Sequence, residues 1–456
     1  EVKDMFYIKP TDEIVPDFLA CVSEYKPDLV LMSVQEDVWD IATILLDSIK
    51  HLEIPHILGG ILPISDPEFV IDHKLVKQIC IYEGERVVID AINCLKNGNS
   101  IEGIKGTWHK DSDCKVHKNP PQPLANIMEV IPDFSCFEGM RWNRTMGGKI
   151  FRRAVSMETY RGCPYNCTFC NSPNTRSVAK VLDIGSYMRR KTADRIEEEY
   201  LFLKETYEPD LMMFQDDSFL ARPAKEIFEF CEMWSKYKVP FWMNTRIENC
   251  RPEYMAALKE AGCYRMNLGI ESGNADYREK MLKRKTSNAK YTEFLAYIND
   301  SNIPYALNII IGMPFETREM VLETADMVRS ARGYDGINLA MFQPYRGTVL
   351  RKIAVENGFL DPNFTNCESS SSVGGGFMDN WALKMPEPYL QESDVRALIK
   401  TFSLYAHFEH DMWPEIKQAE TDDKKFKELM ILYKGEFFED IQQGGRDRIQ
   451  KFCANH

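Results

Sequence analysis

Short apolar runs alternate with amphipathic segments over residues 1 to about 100. The run Asp28–Val34 follows a segment of helical periodicity that ends at Tyr25, and later runs cover Ile54–Leu58 and Gln78–Tyr82. Continuous apolar runs of this length are typical of strands that are buried on both faces of a parallel sheet. The alternation therefore predicts a Rossmann-like (flavodoxin-like) α/β domain. Such sheets bind ligands at the carboxyl ends of their strands.

A second series of strand and helix patterns begins near Ala154 and continues to about residue 345. The polar residues 106–150 come before it, and the prolines of Asn119–Pro123 cannot continue a helix or a central strand, so a linker is predicted there. Six strand–helix units of this length predict a partial (β/α)6 barrel. Its strands are expected at Val155–Tyr160, Leu211–Gln215, Phe241–Asn244, Arg265–Gly269, Ala306–Ile311 and Ile337–Phe342.

Beyond residue 390 the pattern is helical and carries no strand signal. The Ser- and Gly-rich stretch 369–376 before it is predicted to be a flexible loop. The α/β chain is thus expected to have four regions. They are a Rossmann-like domain (1–105), a linker (106–150), a partial barrel (151–350) and a mostly helical C-terminal region (351–456).

Composition narrows the class of protein. With 456 residues, 44% of them hydrophobic and 27% charged, the chain reads as a globular protein with more than one core. A net charge of −13 argues against a broad nucleic-acid-binding surface, so no nucleic-acid partner is expected. Neither a transmembrane run nor a signal-peptide pattern is visible, which predicts a cytoplasmic location.

Three of the thirteen cysteines lie close together: Cys163, Cys167 and Cys170, with the spacing CxxxCxxC. In a reducing compartment this pattern indicates metal binding rather than disulfides. Three thiolates on one short loop suit three corners of an iron–sulfur cubane, and the absence of a fourth cysteine nearby leaves one iron open to another ligand. A zinc site is the alternative, but zinc prefers a closed set of four ligands.

The context Tyr160-Arg161-Gly162-Cys163, directly after the first predicted barrel strand, resembles the radical S-adenosylmethionine (SAM) superfamily. The resemblance implies an oxygen-sensitive [4Fe–4S] cluster on the three cysteines, with SAM chelating the open iron. It also implies a reductant such as flavodoxin or ferredoxin. Phe169, just before the third cysteine, is implied to lie near the adenine.

Polar elements at the ends of the other predicted strands extend the resemblance. Asp216 and Asp217 follow the second strand, where they mark either a helix N-terminus or a site. Arg246 can pair with the SAM carboxylate or form a structural ion pair. The sequence Glu271-Ser272-Gly273 resembles an element that approaches SAM, and the loop from Gln343 stands where the family commonly has Pro-x-Pro-Gly-Thr. The implied SAM contacts are Phe169, Asp216, Asp217, Arg246, Glu271, Ser272 and Gln343.

The first domain resembles the cobalamin-binding domain that precedes many radical SAM barrels. The implied cobalamin contacts are Ser33, Gly59, Gly60, Glu83 and Gly84. Paired glycines let the backbone approach a bulky nucleotide loop, although a ligand-free flavodoxin-like sheet can carry them too. The first strand and helix of the family are not found before Glu1, and the Asp-x-His-x-x-Gly signature is missing, as in many cobalamin-dependent radical SAM methylases.

Together these resemblances imply a cobalamin-dependent radical SAM methyltransferase. A methyl group would move from SAM through methylcobalamin to an unactivated carbon, after a 5′-deoxyadenosyl radical abstracts its hydrogen. Tyr160, Tyr345 and Met341 are candidates for lining the substrate space, with packing in the core as the alternative role, and Tyr160 and Tyr345 are the candidate catalytic residues. The alternatives are a cyclase or rearrangement enzyme that does not use cobalamin for methyl transfer, and a non-catalytic iron–sulfur or corrinoid sensor. The substrate could be a small molecule, a lipid or a peptide.

Overall fold

The computed structural model describes residues 11–135, 142–331, 333–367 and 381–440. The predicted loop 369–376 lies outside these residues. Contacts divide the chain into two compact units. The first unit comprises Glu1–Asn126, Tyr165–Tyr187 and Gln343–Ala382, and the second comprises Ile127–Pro164, Met188–Phe342 and Leu383–His456.

The described residues form fifteen strands and sixteen α-helices. The strands are β1 Val30–Ser33, β2 His56–Gly59, β3 Gln78–Cys80, β4 Thr107–Lys110, β5 Val116–Lys118, β6 Arg144–Met146, β7 Lys149–Phe151, β8 Ala154–Met157, β9 Tyr160–Arg161, β10 Arg189–Arg190, β11 Leu211–Phe214, β12 Phe241–Arg246, β13 Cys263–Glu271, β14 Tyr305–Ile311 and β15 Gly336–Met341. The helices are α1 Thr11–Tyr25, α2 Trp39–Ile49, α3 Ile61–Ser65, α4 Pro67–Asp72, α5 Glu85–Lys96, α6 Ser172–Val181, α7 Ala193–Tyr207, α8 Ala224–Trp234, α9 Pro252–Glu260, α10 Ala275–Lys280, α11 Asn288–Ser301, α12 Arg318–Ala331, α13 Val349–Glu356, α14 Glu392–His407, α15 Trp413–Ala419 and α16 Asp423–Asp440.

The sheet of the first unit has the order β1-β2-β3-β4-β5, and its first three strands are parallel. Both faces are covered by helices. On one face Leu58 packs with Trp39 of α2, and on the other Ile57 packs with Val87 of α5. Burial on two sides explains why β2 and β3 lie in apolar runs, whereas Leu31 of the edge strand β1 is 46% exposed. The prediction of a doubly wound α/β domain is confirmed.

Strands β4 and β5 lie in the segment that was predicted as a linker. They pair antiparallel with each other, and β4 pairs antiparallel with β3 at the edge of the sheet. Gln78 anchors this edge, because its side chain donates to the hydroxyl of Thr107 at 2.9 Å. Polar, short edge strands lack the apolar run that identifies a central strand. The four predicted region boundaries stay predictions.

The second unit contains a six-stranded parallel sheet with the order β15-β14-β13-β12-β11-β8. Helices α7 to α12 alternate with these strands along the chain, which confirms the predicted succession of six strand–helix units. One face of the sheet packs against an aromatic core of fully buried rings: Phe214, Phe219, Phe230, Trp234 and Phe241.

The opposite face of this sheet is polar and partly exposed. It carries Ser156, Asn244, Asn267, Asn308 and Asn338. Strand register places Asn244 beside Asn267, and the side chain of Asn338 donates to that of Asn308 at 2.8 Å. This polar face is the one available to bound ligands.

The C-terminal region is helical, as predicted. Arg318 of α12 holds it to the sheet-covering helices, because its guanidinium donates to the hydroxyl of Tyr405 at 3.2 Å and pairs with Glu420. Within the described ranges, no helix combines the length and apolar character needed to cross a bilayer.

Candidate functional site

The three clustered cysteines lie on the loop between β9 and α6. Cys167 is buried, whereas Cys163 and Cys170 are partly exposed. Cys167 and Cys170 are close in the first unit, where the Cys170 amide donates to the Cys167 carbonyl at 3.2 Å. The Ser172 amide donates to the sulfur of Cys170 at 3.4 Å.

The rest of this loop in the first unit is held by a turn that follows β15. The Leu350 amide donates to the Thr168 carbonyl at 3.0 Å. Asn171, the residue after Cys170, donates to the hydroxyl of Ser65 at 3.0 Å and to the carbonyl of Arg346 at 3.4 Å. The last two predicted cluster ligands therefore sit on fixed backbone, as a preorganised metal site requires.

In the second unit, Asp216 fixes the backbone just before the cysteine loop. Its carboxylate is 1% exposed. It accepts from the Thr159 amide at 2.7 Å, the Thr159 hydroxyl at 2.5 Å and the Tyr160 amide at 3.0 Å. Arg222 adds a buried ion pair at 2.6 Å. Burial raises the pKa of Asp216, and the charge of Arg222 opposes the rise.

The first predicted barrel strand was expected to reach Tyr160, and the structure shows that this boundary was wrong. Strand β8 ends at Met157 because the amides of Thr159 and Tyr160 bond to Asp216 instead of a neighbouring strand. The following helix begins at Ala224, so Asp216 and Asp217 do not mark a helix N-terminus. Asp217 is exposed beside its buried neighbour.

Charged side chains meet at the ends of β12 and β13. Arg246 pairs with Glu248, and Arg284 lies 3.4 Å from the carboxylate of Glu271. Burial raises the pKa of Glu271, and the charges of Arg284 and Arg246 lower it. Glu271 adopts φ 61°, a left-handed backbone that is strained for a residue other than glycine.

Ser272 and Gly273 follow directly. The hydroxyl of Ser272 is fully buried and has no hydrogen-bond partner within the described chain. A Cβ at Gly273 would lie 2.5 Å from the Cα of Thr324, so only glycine fits against α12. A buried hydroxyl without a partner is costly unless something bonds to it, which suits a polar ligand such as SAM.

Tyr345 and Arg346 stand where the resembling family commonly has Pro-Gly, and in the first unit both bond to residues after β1. The hydroxyl of Tyr345 donates to Asp37 at 3.0 Å. The amide of Arg346 donates to the buried carboxylate of Glu36 at 2.8 Å, and its guanidinium bonds to Asp66 at 2.8 Å. The departure from the family pattern is thus accommodated by an ion-pair network.

The five predicted cobalamin contacts lie at the carboxyl ends of β1, β2 and β3. A Cβ at Gly60, which has φ 95°, would approach the Val34 amide to 2.6 Å and the Ser33 hydroxyl to 3.0 Å. Gly60 is therefore required by the packing of two strand ends. Nothing lies within 4 Å of a Cβ added at Gly84. The carboxylate of Glu83 accepts from the Ala125 amide at 2.9 Å.

Residues 157–328 match the Radical SAM superfamily. They form a radical SAM domain. Its cofactors are the [4Fe–4S] cluster and SAM, and its chemistry requires a reductant. Within the part of the chain that is described, no three His, Cys, Asp or Glu side chains converge on a single metal ion. A cubane instead spreads its thiolates over separate iron atoms, so the chemistry of the donor set fits the cluster.

Two relatives and one solved structure extend beyond the radical SAM domain. An uncharacterized methyltransferase of Pyrococcus horikoshii is 25% identical over 353 residues, 75% of this chain and 73% of the relative. The anaerobic magnesium-protoporphyrin IX monomethyl ester cyclase of Rubrivivax gelatinosus is 24% identical over 343 residues, 72% of this chain and 57% of the cyclase. The cobalamin-dependent radical enzyme OxsB, solved with aqua-cobalamin and SAM, matches with a TM-score of 0.64 and 16% identity over 93% of this chain and 65% of OxsB.

The match to OxsB shows a shared fold, and this chain spans less than two thirds of OxsB and of the cyclase. The individual assignments of residues to SAM, cobalamin and the cluster stay predictions. The structure does bring several of them together. Ser33 lies against Gly60, and the amide of Tyr160 bonds to Asp216. The side chain of Tyr160 is buried between the guanidinium groups of Arg190 and Arg222.

Glu316 is a buried residue of the radical SAM domain that the sequence patterns missed. It is 0% exposed and accepts from the amides of Gly312 at 2.6 Å and Met313 at 3.1 Å. Burial raises its pKa to about 8. A glutamate two residues after Met313-Pro314 could have been noticed as a loop-capping side chain.

We expect the contribution of Glu316 to the stability of the protein to fall as pH rises from 4.5, the ordinary pKa of a glutamate carboxyl, to about 8, its pKa in the folded protein. In this window the folded state keeps a proton that the unfolded state has released, which costs up to about 1.4 kcal/mol of unfolding free energy per pH unit. Urea unfolding across the window should show a shallower slope for Glu316→Gln. The exposed Glu279→Gln is the control, and an unchanged slope in Glu316→Gln would contradict the assignment.

Proposed function

We propose that this chain is a cobalamin-dependent radical SAM methyltransferase that methylates an unactivated carbon. The supporting observation is the combination of a radical SAM domain with a doubly wound sheet, in a fold shared with OxsB over 93% of the chain. The Pyrococcus horikoshii relative, named as a methyltransferase, supports the same reaction class.

The residues of this chain fit the proposed groups. The thiols of Cys163, Cys167 and Cys170 would hold the cluster, and the buried hydroxyl of Ser272 offers SAM an unused hydrogen-bond partner. The close packing of Gly60 on Ser33 keeps side chains out of the crevice at the strand ends, where cobalamin would lie. When bound, the cluster and SAM supply a 5′-deoxyadenosyl radical and cobalamin carries the methyl group.

The test is an anaerobic incubation of the reconstituted protein with SAM that carries a radiolabelled methyl group. With dithionite as the reductant for both the corrinoid and the cluster, we expect label in the corrinoid fraction and formation of 5′-deoxyadenosine. A protein that is purified from cells grown with hydroxocobalamin and contains no corrinoid would refute the proposal. A preparation that never releases 5′-deoxyadenosine would instead indicate a non-catalytic sensor.

A cyclase that uses the same cofactors without methyl transfer is the second candidate, and the Rubrivivax gelatinosus relative favours it. The same incubation separates the two candidates. A cyclase would form 5′-deoxyadenosine with its substrate, and the label would stay on the methionine that this cleavage releases and on uncleaved SAM.

Gly84 offers a direct test of the cobalamin crevice. Since a Cβ at Gly84 meets no atom within 4 Å, we expect Gly84→Trp to fold and to fill open space beside β3. The indole would then occupy volume that the corrinoid needs, and bound corrinoid should fall by more than about tenfold. Corrinoid is quantified by its visible spectrum and iron by colorimetry, and iron should be unchanged.

Gly435→Trp is the matched control, because a Cβ at Gly435 also meets nothing within 4 Å and this exposed residue lies on helix α16 of the second unit. It should retain corrinoid. Full corrinoid content in Gly84→Trp would show that the crevice lies elsewhere.

A further inference from the structure

Residues 127–134 of the second unit form a strap along helix α7 that is fixed at two points. The guanidinium of Arg195 donates to the Val130 carbonyl at 3.1 Å. The hydroxyl of Tyr207 accepts from the Phe134 amide at 2.8 Å and donates to Asp133 at 2.9 Å. The ring of Phe134 also packs on Tyr207 with centroids 5.8 Å apart. The strap is therefore a fixed wall rather than a loose segment.

Between this strap, α7 and the edge strand β8 lies a cavity of about 230 Å³. This volume is below the roughly 300–1,000 Å³ of sites for drug-sized ligands, so the cavity has room for a small ligand or for one end of a larger one. The strap forms one side of the cavity, which is apolar and is lined by Ile127, Val130, Pro132 and Phe134. On the opposite side Gln215 donates to the hydroxyl of Ser156 at 3.0 Å. Ser156 belongs to the polar face of the six-stranded sheet, so the cavity adjoins that face.

A buried ion pair lines the polar side of the cavity. Lys191 and Glu199 lie 2.6 Å apart, with side chains 4% and 0% exposed. The Lys191 amide is held by the Thr159 carbonyl at 2.9 Å. The second carboxylate oxygen of Glu199, Oε1, has no hydrogen-bond partner among the described residues. Buried oxygens of this kind are rarely left unbonded.

The ammonium of Lys191 also has capacity to spare. It can donate three hydrogen bonds, and within the described chain its side-chain bond goes to Glu199. An unbonded acceptor and unused donor protons thus lie side by side in the cavity. They are complementary to one group that donates and accepts at once, such as a carboxamide.

The charges in the cavity are already balanced. Glu158 pairs with Arg161 at 2.9 Å, as Lys191 pairs with Glu199. An ionised ligand would place an uncompensated charge beside these pairs in a desolvated space, which is unfavourable. A neutral head group would not.

We propose that this cavity binds the substrate through a neutral carboxamide, with the amide bonded to Lys191 and Glu199 and an apolar body against Val130, Pro132 and Phe134. The identity of the ligand as substrate rests on the proposed function, whereas its binding does not. Amide-bearing small molecules and peptide segments both present this chemistry, and ionised fatty acids do not.

Binding of three probes with one phenylpropyl body tests the proposal: 3-phenylpropionamide, 3-phenylpropionate and 3-phenylpropylamine. Isothermal titration of the reconstituted iron–sulfur protein at neutral pH should give tightest binding for the amide, by about tenfold over either ion. Equal affinity for the three probes, or no heat from the amide, would overturn the proposal.

The variant Glu199→Gln locates the binding. It removes the negative partner of Lys191 at nearly constant volume, so the cavity gains a positive charge and the preference should shift from the amide toward 3-phenylpropionate. Glu205→Gln, an exposed residue on the same helix, should leave the preference unchanged. An unchanged preference in a folded Glu199→Gln would also overturn the proposal, and the wild-type probe series stands if that variant does not fold.

The outcomes separate this proposal from the proposed function. Amide-selective binding in a protein that transfers no methyl group would refute methyl transfer and keep the cavity assignment. Methyl transfer by a protein that shows no selectivity among the probes would support methyl transfer and refute the cavity assignment. N-acetyl-phenylalaninamide and a short amidated peptide, titrated next, distinguish a small-molecule source of the amide from a peptide one.

Discussion

The variant Cys167→Ala is expected to lose reductive cleavage of SAM entirely, to the level seen without enzyme. Cys167 is the buried member of the three clustered cysteines. A cubane held by two thiolates has a second open iron, and it has no geometry that keeps SAM at one corner. The measurement is 5′-deoxyadenosine formed under dithionite, with iron and sulfide determined on the same preparation.

Cys231→Ala is the matched control for this prediction. Cys231 is buried in α8, and burial raises the pKa of its thiol to about 12, so it is a packing residue and not a ligand. It should keep both the cluster and SAM cleavage. Cleavage that persists in Cys167→Ala would mean that the cluster is not bound by this loop. The assignment of all three cysteines as cluster ligands would then be wrong.

The parallel strands were predictable because their apolar residues leave a local mark in the sequence. Strands β1 and β11 each occur within a continuous apolar run, and the run of β14 is broken by Asn308 of the polar face. Such runs separate from amphipathic helices. Strands β4 and β5 carry no such mark. They were assigned to a linker because edge pairing depends on a partner, here β3, and not on their own hydrophobicity.

The cysteine loop was predictable for a related reason, since spacing along the chain is itself the signal. The groups that hold the loop were less visible. Asp216 was noticed as an acidic residue after a strand, but its partners Thr159 and Tyr160 lie more than fifty residues earlier. Glu36 and Arg346 are separated by 310 positions. Contacts at such separations follow from topology, and a single sequence does not report them.

The cavity between the strap, α7 and β8 was not predictable from the sequence. Lys191 and Glu199 are eight positions apart, beyond the three or four positions at which side chains pair along a helix. What distinguishes them is burial and an unbonded oxygen, and both depend on how residues 127–134 cross α7. A space left between elements has no sequence pattern of its own.

Asp216→Asn is expected to be the most destabilising polar substitution discussed here, by about 3–5 kcal/mol. The amide retains an acceptor for the Thr159 and Tyr160 amides. Its NH₂ group, however, faces the Arg222 guanidinium, which stays charged and 1% exposed without its partner. Urea unfolding measures the loss. Hydrogen exchange of peptides covering 157–163 should also increase, because the unpaired Arg222 lies against Thr159 in the backbone before Cys163.

The control is Asp276→Asn, which breaks an exposed ion pair with Lys280 on the same unit and should cost less than about 1 kcal/mol. The cycle with Arg222→Met distinguishes positioning from charge alone. If Asp216 acts only by neutralising Arg222, then Asp216→Leu with Arg222→Met should recover stability and cluster content together. If it also holds the loop, iron content and exchange at 157–163 should stay abnormal, because neither leucine nor methionine can accept the hydrogen bonds from Thr159 and Tyr160. We expect the second result, since three of the four hydrogen bonds to Asp216 come from those two residues.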